Sequence, residues 1–357
     1  MAAAAAPKPG MGTSGQLVPV TPRTVTRPSV PPGATATGMA PASCVEFADL
    51  DAYLGSALTP WGGGVLRVEQ DGHVLLDHAY GGFRTTDAVP IGAATRLMST
   101  VAILTLVKDG KLALDAPVGS VLPGWPKDKA AITLRMLLAN TSGLPGRSPC
   151  LEHREMTLPA CVQEIAATPL RAAPGTAFID GGTGFQVAGR MAEIAAGSDW
   201  ATLFETRVMV PLGLHDTGFG KTDNPRISGG AQASGEGYAR VLRQLLPAPE
   251  PDLLGDTLRA EVLADQTRGL PLRQSPYSAS PGREGMRAGL GIYRERVAPD
   301  GHALEVIAQG VFGFTGWVDT VRRLVGVLVV KGKGEDVWPV EQKARTMVRA
   351  AVPVPGR

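Results

Sequence analysis

Large apolar residues are almost absent from positions 1–41, which are rich in Ala, Pro, Thr and Gly. Such a segment cannot bury enough surface to offset its ordering entropy, so it reads as a disordered leader. From Val45 the pattern changes. Phe47, Leu50, Tyr53 and Leu54 repeat at helical spacing. Two β-rich runs in residues 63–82 flank Asp71-Gly72, a strong hairpin signal. Further on, Met98, Val101, Ile103, Leu104, Leu106 and Val107 cover most of a helix circumference, which predicts a helix buried on all sides. Gly110 is placed to end it.

The middle of the chain predicts helices near 131–139, 161–168, 183–196, 199–208 and 236–246, joined by Pro/Gly loops. The last third turns strand-like. Residues 288–297, 303–320 and 323–330 carry β-rich runs, with turns at Pro299-Asp300-Gly301 and Thr320–Arg323. A final helix is expected over Val340–Ala351. Strands therefore stand at both ends of a helical block. The simplest arrangement is an α+β fold, with one antiparallel sheet flanked by helices and an all-helical domain inserted. Its expected limits are 45–114 plus 276–352 for the sheet and 115–275 for the helices. A cleft between two such lobes is the expected ligand site. The chain has no internal repeat.

Composition narrows the function. Hydrophobic residues make up 44% and charged residues 19%, an ordinary globular balance. Aromatics are only 5%, against 45 Gly and 30 Pro, which favours turns and long loops over a bundle. Formal net charge is +2, and no basic run interleaves with aromatics, so nucleic acid is not an expected partner. No apolar stretch is long enough to span a bilayer. Ala2–Ala6 lacks the apolar core of a signal peptide, so an export signal has been removed or the protein stays inside the cell. Cys150 and Cys161 close a short loop. They read as a disulfide in an oxidising compartment, periplasmic or extracellular, or as two thiols. Cys44 reads as a lone thiol. The five histidines have no partners at metal-ligand spacing, and neither a metal nor another cofactor is expected.

Several phrases, in order, resemble the serine β-lactamase and penicillin-binding-protein superfamily, and most its class C-like branch of carboxypeptidases and esterases. They are "LVKDGKLALDAPVGSVLPGW", "ITLRMLLANTSGLPG" with Asn140 where His is usual, "PGTAFIDGGTGFQVAGRMAEIAAG", "VMVPLGLHDTGF" and "GVFGFTGWVDTVRRLVGVLVV". Together they cover roughly residues 60 to 335. The resemblance implies three catalytic motifs. An S-x-x-K opens the buried helix, its lysine one turn from the serine and on the same face. A Y-x-N from the helical lobe supplies a phenol and an amide. A K-T-G-like strand lines the pocket, and the backbone N–H after it pairs with that of the serine as an oxyanion hole.

Counting back from Leu106–Leu112 puts Ala93 at the serine position and Arg96 at the lysine position. Ala93 has no nucleophilic atom. Arg96 stays protonated and cannot serve as a base. No S-x-x-K occurs anywhere in the chain. Ser99, one turn on, is the alternative nucleophile. The tyrosine and asparagine positions fall on Asp180 and Gly182. The third motif becomes Ala308-Gln309-Gly310, followed by Val311. Only the backbone amides of Ala93 and Val311 remain for an oxyanion hole. The first-motif lysine and second-motif tyrosine are neighbours in the family, so Arg96 and Asp180 are expected to form an ion pair. Three readings stay open. The first is a pseudoenzyme that binds a small-molecule or peptide/acyl ligand in the interdomain cleft. The second is a repurposed enzyme using Asp180 as acid or base. The third is a residual hydrolase or esterase acting on an acyl substrate.

Overall fold

The sheet that organises the molecule takes its strands from the two ends of the chain. A computed structural model describes residues 46–278, 280 and 282–356. Strands β1 (Gly63–Gln70) and β2 (His73–Gly81) form the hairpin around Asp71 and Gly72. The later strands are β3 (Arg287–Ala288), β4 (Tyr293–Val297), β5 (Ala303–Gln309), β6 (Thr315–Asp319) and β7 (Leu324–Val329). Their order is β2-β1-β7-β6-β5-β4-β3, with every neighbouring pair antiparallel. The two chain ends meet at β1 and β7, where Val65 faces Val329 and Gln70 faces Leu324.

Both faces of this sheet are covered. Val65, Val325, Val327 and Val329 enter one core, and Leu66, Leu324 and Leu328 enter the other. A strand buried on both faces has no polar side, which explains the unbroken apolar run at 324–330. Helices α1 (Ala48–Ala57) and, at the end of the chain, Gly334–Ala351 pack with the second core. Helix α2 (Thr95–Lys108) lies in the first, with every residue from Thr95 to Leu106 buried. Beside it in that core stand α3 (Leu158–Ala167), α4 (Thr183–Ala196) and α5 (Gly235–Leu242). Ser234 starts α5 by accepting a hydrogen bond from the Gly237 amide at 3.0 Å, a cap typically worth about 1 kcal/mol. These helices come from the middle of the chain, and the chain is an α+β protein with an antiparallel sheet.

Several elements depart from expectation. The final helix begins at Gly334, not at Val340. Pro339 removes one amide from its ladder. The first turn is held from outside, because the Gly334 amide donates to the Val311 carbonyl at 2.8 Å. The segment expected as one helix over 199–208 is an α-turn at Trp200–Phe204, a π-turn at Glu205–Met209 and a short helix at Val210–Leu212. The helix near 131–139 shrinks to Leu134–Leu138, capped by Thr133. Gly255–Leu263 is an unforeseen helix, with Leu254, Leu258 and Val262 four residues apart. The expectations for residues 1–41 and Cys44 lie outside the described residues. Among the described residues no helix is long and apolar enough to cross a membrane.

Candidate functional site

A 3₁₀ turn, Gly92–Ala94, leads into the buried helix α2. The Tyr238 hydroxyl fixes this entry by donating to the Ala94 carbonyl at 2.7 Å. The turn lies directly against the end of β5. A methyl group on Gly310 would sit 2.0 Å from the Ile91 carbonyl oxygen, so only glycine fits there. A methyl on Gly92 would sit 3.2 Å from the Val311 nitrogen. Ala93 and Val311 thus stand on neighbouring backbone in the wall of a cleft of about 640 Å³. The cleft runs between the sheet and the loops of the helical block.

Arg96, the second residue of α2 and one turn after Ala93, forms part of the floor and is 9% exposed. Its guanidinium donates to both carboxylate oxygens of Asp180, through Nη1 to Oδ1 and through Nη2 to Oδ2 at 3.2 Å. This two-point geometry is the strong form of a charge-assisted pair. The Tyr293 hydroxyl, from β4, donates to the same Oδ1 at 2.5 Å, and the Asn140 amide approaches it at 3.4 Å. The guanidinium also lies 5.7 Å from the centre of the Phe185 ring, within cation–π range. Burial pulls the Arg96 pKa down, but the charge of Asp180 and the neighbouring Tyr293 more than reverse this, and it stays protonated. Burial, then the negative charge of Asp180, push the Tyr293 phenol well above its ordinary range. Asp180 is held at its backbone by Gln274, which accepts from its amide at 2.9 Å and donates to its carbonyl at 2.7 Å. Both oxygens of the Asp180 carboxylate therefore accept from donors.

The other motif positions are also filled. A Cβ on Gly182 would lie 2.5 Å from the Ser228 hydroxyl oxygen, so a longer side chain has no room there. Gln309 faces away from acid–base work. Its Oε1 accepts from the Tyr277 hydroxyl at 2.9 Å and from Arg283 at 3.1 Å, and its Nε2 donates to Glu341 at 2.9 Å. Ala308 is buried in β5. Ser99 is fully buried and donates to the Ile227 carbonyl at 2.6 Å, which leaves it no path to a ligand. Cys150 and Cys161 form a disulfide. Among the described residues no group of three His, Cys, Asp or Glu side chains is arranged to hold a metal.

Sequence reasoning passed over Tyr293, Gln274 and Ser228. Tyr293 sits in an ordinary strand pattern, and nothing local marks its hydroxyl as a cleft group. Gln274 lies in a short strand, Leu272–Gln274, that pairs with Phe178–Ile179 across a long sequence separation. Tyr277 lines the cleft from a buried position, whereas Tyr238 packs behind the turn.

The beta-lactamase family profile matches residues 60–347. Penicillin-binding protein 4 of Amycolatopsis lactamdurans is 31% identical over 139 residues, 37% of this chain and 36% of that protein. Esterase EstB of Burkholderia gladioli is 29% identical over 193 residues, 46% of this chain and 49% of that protein. The matched regions therefore span less than half the length of these curated relatives. A crystal structure of a β-lactamase-like protein from Bacteroides dorei DSM 17855 superposes with a TM-score of 0.77 at 25% identity, over 86% of this chain and 99% of that one.

Proposed function

Since this chain belongs to the beta-lactamase family, we propose that it is a member that binds an acyl or peptide ligand in the cleft without turning it over. The observation that carries this reading is the floor of the cleft. Where the aligned motifs expect a nucleophile with a base beside it, there is a methyl group at Ala93 and a guanidinium at Arg96 closed onto Asp180. Asp180, Gly182, Gln309 and Gly310 stand where the second and third motifs would be, and the one titratable side chain among them, Asp180, is closed onto Arg96. The neighbouring amides of Ala93 and Val311 keep the framework of an oxyanion site, which suits recognition of a ligand carbonyl.

A repurposed active site using Asp180 is less well supported, because three donors crowd its Oδ1 and the Arg96 guanidinium holds its Oδ2. Ser99 is too deeply held to replace the missing nucleophile. The disulfide supports a periplasmic or extracellular location. Incubation of the purified protein with p-nitrophenyl butyrate and with nitrocefin tests the reading. Rates indistinguishable from buffer are expected. Saturable turnover that co-purifies with the protein would overturn it.

A further inference from the structure

Beside the cleft lies a second concavity, of about 580 Å³, into which Arg147, Arg171 and Arg273 all project. All three side chains belong to exposed residues, and none forms an ion pair among the described residues. Every Asp and Glu of the chain lies within the described residues, so no side-chain carboxylate is left over to serve as their partner. The contrast within the molecule is direct. Another concavity, at Pro247–Pro251, also carries three arginines, and each is matched there: Arg240 by Glu236, Arg243 by Glu69 and Arg323 by Asp71. Arg273 Nη1 donates to the Arg171 carbonyl at 3.2 Å, which ties two of the unmatched arginines together. Three like charges in one concavity repel one another and focus a positive potential that an anion relieves.

This concavity adjoins the candidate site. Gly146, Arg147 and Gln274 line both. The partition between them is the backbone of Asp180–Gly182, held to Gly146 and Gln274 by hydrogen bonds of 2.8 and 2.9 Å. The cleft itself has an apolar wall, with Val311 59% and Phe312 47% exposed and Trp338 beside them. Polar floor, apolar wall and basic rim together describe a ligand with an apolar body and an anionic end.

We propose that Arg147, Arg171 and Arg273 form an anion subsite that holds a carboxylate or phosphate group of the cleft ligand. This rests on the binding reading above. Guanidinium groups recognise both anions through paired N–H donors, so the two sources share one chemistry. Calorimetric titration of the full chain with 4-phenylbutyrate, 4-phenylbutyl phosphate and the neutral 4-phenylbutanamide tests it. At least one anion should bind about tenfold or more tightly than the amide, and the tighter of the two identifies the head group. The combined Arg147→Gln, Arg171→Gln, Arg273→Gln variant should lose that preference, while Arg268→Gln, an exposed arginine elsewhere, should keep it. Equal binding of anions and amide, no anion binding at several millimolar, or an unchanged preference in the triple variant would each overturn the subsite. Hydrolysis of the p-nitrophenyl ester of 4-phenylbutyrate is read separately. Turnover there would overturn the non-catalytic reading while leaving the anion preference measurable.

Discussion

At the floor of the cleft one guanidinium meets one carboxylate, one phenol and one aromatic ring. At the rim, three guanidiniums share a concavity with no carboxylate among the described residues. The two regions are joined through the same loop at Gly146 and Arg147. Their difference separates two uses of positive charge. Arg96 is buried, so its charge needs a partner inside the protein, and once paired it is unavailable for proton transfer. The rim arginines are solvated, so they persist unpaired at little cost and stay available to an outside anion. The floor is built for stability and the rim for recognition.

The strongest way to break this contrast is Asp180→Ala. It leaves the Arg96 charge buried and unpaired, and should cost about 3–5 kcal/mol in urea unfolding. The double variant Arg96→Met, Asp180→Leu should regain most of that loss, since apolar replacement of a buried pair is often neutral. Equal losses in the single and double variants would mean that the pair is not a unit. Tyr293→Phe removes a donor to the same carboxylate and should cost about 1.5–3 kcal/mol, the usual worth of a hydrogen bond to a charged group.

A pH titration sharpens the same point. Tyr80, Tyr238, Tyr277 and Tyr293 all have phenols pushed up by burial, with Asp180 adding to the effect on Tyr293. A raised folded-state pKa contributes stability that is fully present below about pH 10, the unfolded value, and is lost as pH rises towards the folded value. Each such tyrosine should remove about 1.4 kcal/mol per pH unit above that point. Absorbance from these four phenolates should therefore appear together with unfolding rather than as a separate native titration near pH 10. The smallest effect belongs to the rim. Arg171→Gln or Arg273→Gln should leave stability within about 0.5 kcal/mol of the parent, because exposed unpaired side chains contribute little.

Patterning made the sheet, the hairpin at Asp71-Gly72 and the buried helix legible, because each is set by local period and turn chemistry. The hairpin and the strands of the last third have hydrophobic runs and glycine turns that speak for themselves. The early start of the final helix, at Gly334, was not legible, since its first turn depends on Val311, more than twenty residues earlier in the chain. The π-turn at Glu205–Met209 likewise has no local signature. At the site, Ala93, Arg96, Asp180 and Gln309 were reachable because each lies beside a recognisable phrase. The meeting of Arg96 with Asp180 joins residues 84 apart, and it was reachable only because the resemblance makes those two motif positions neighbours. Tyr293 was out of reach. Its hydroxyl matters because β4 carries it to Asp180, and that is a property of the sheet register. The arginine rim was also invisible, since it gathers residues from two separate loops and a short strand.

Intact-mass analysis after exposure to a fluorophosphonate probe tests the central claim most directly. The cleft is lined by two serines, Ser148 and Ser228, and the register leaves no serine at Ala93. The account predicts an unchanged mass after prolonged incubation with excess probe. A stoichiometric adduct that maps to Ser148, Ser228 or Ser99 would contradict it and restore a serine nucleophile to this cleft.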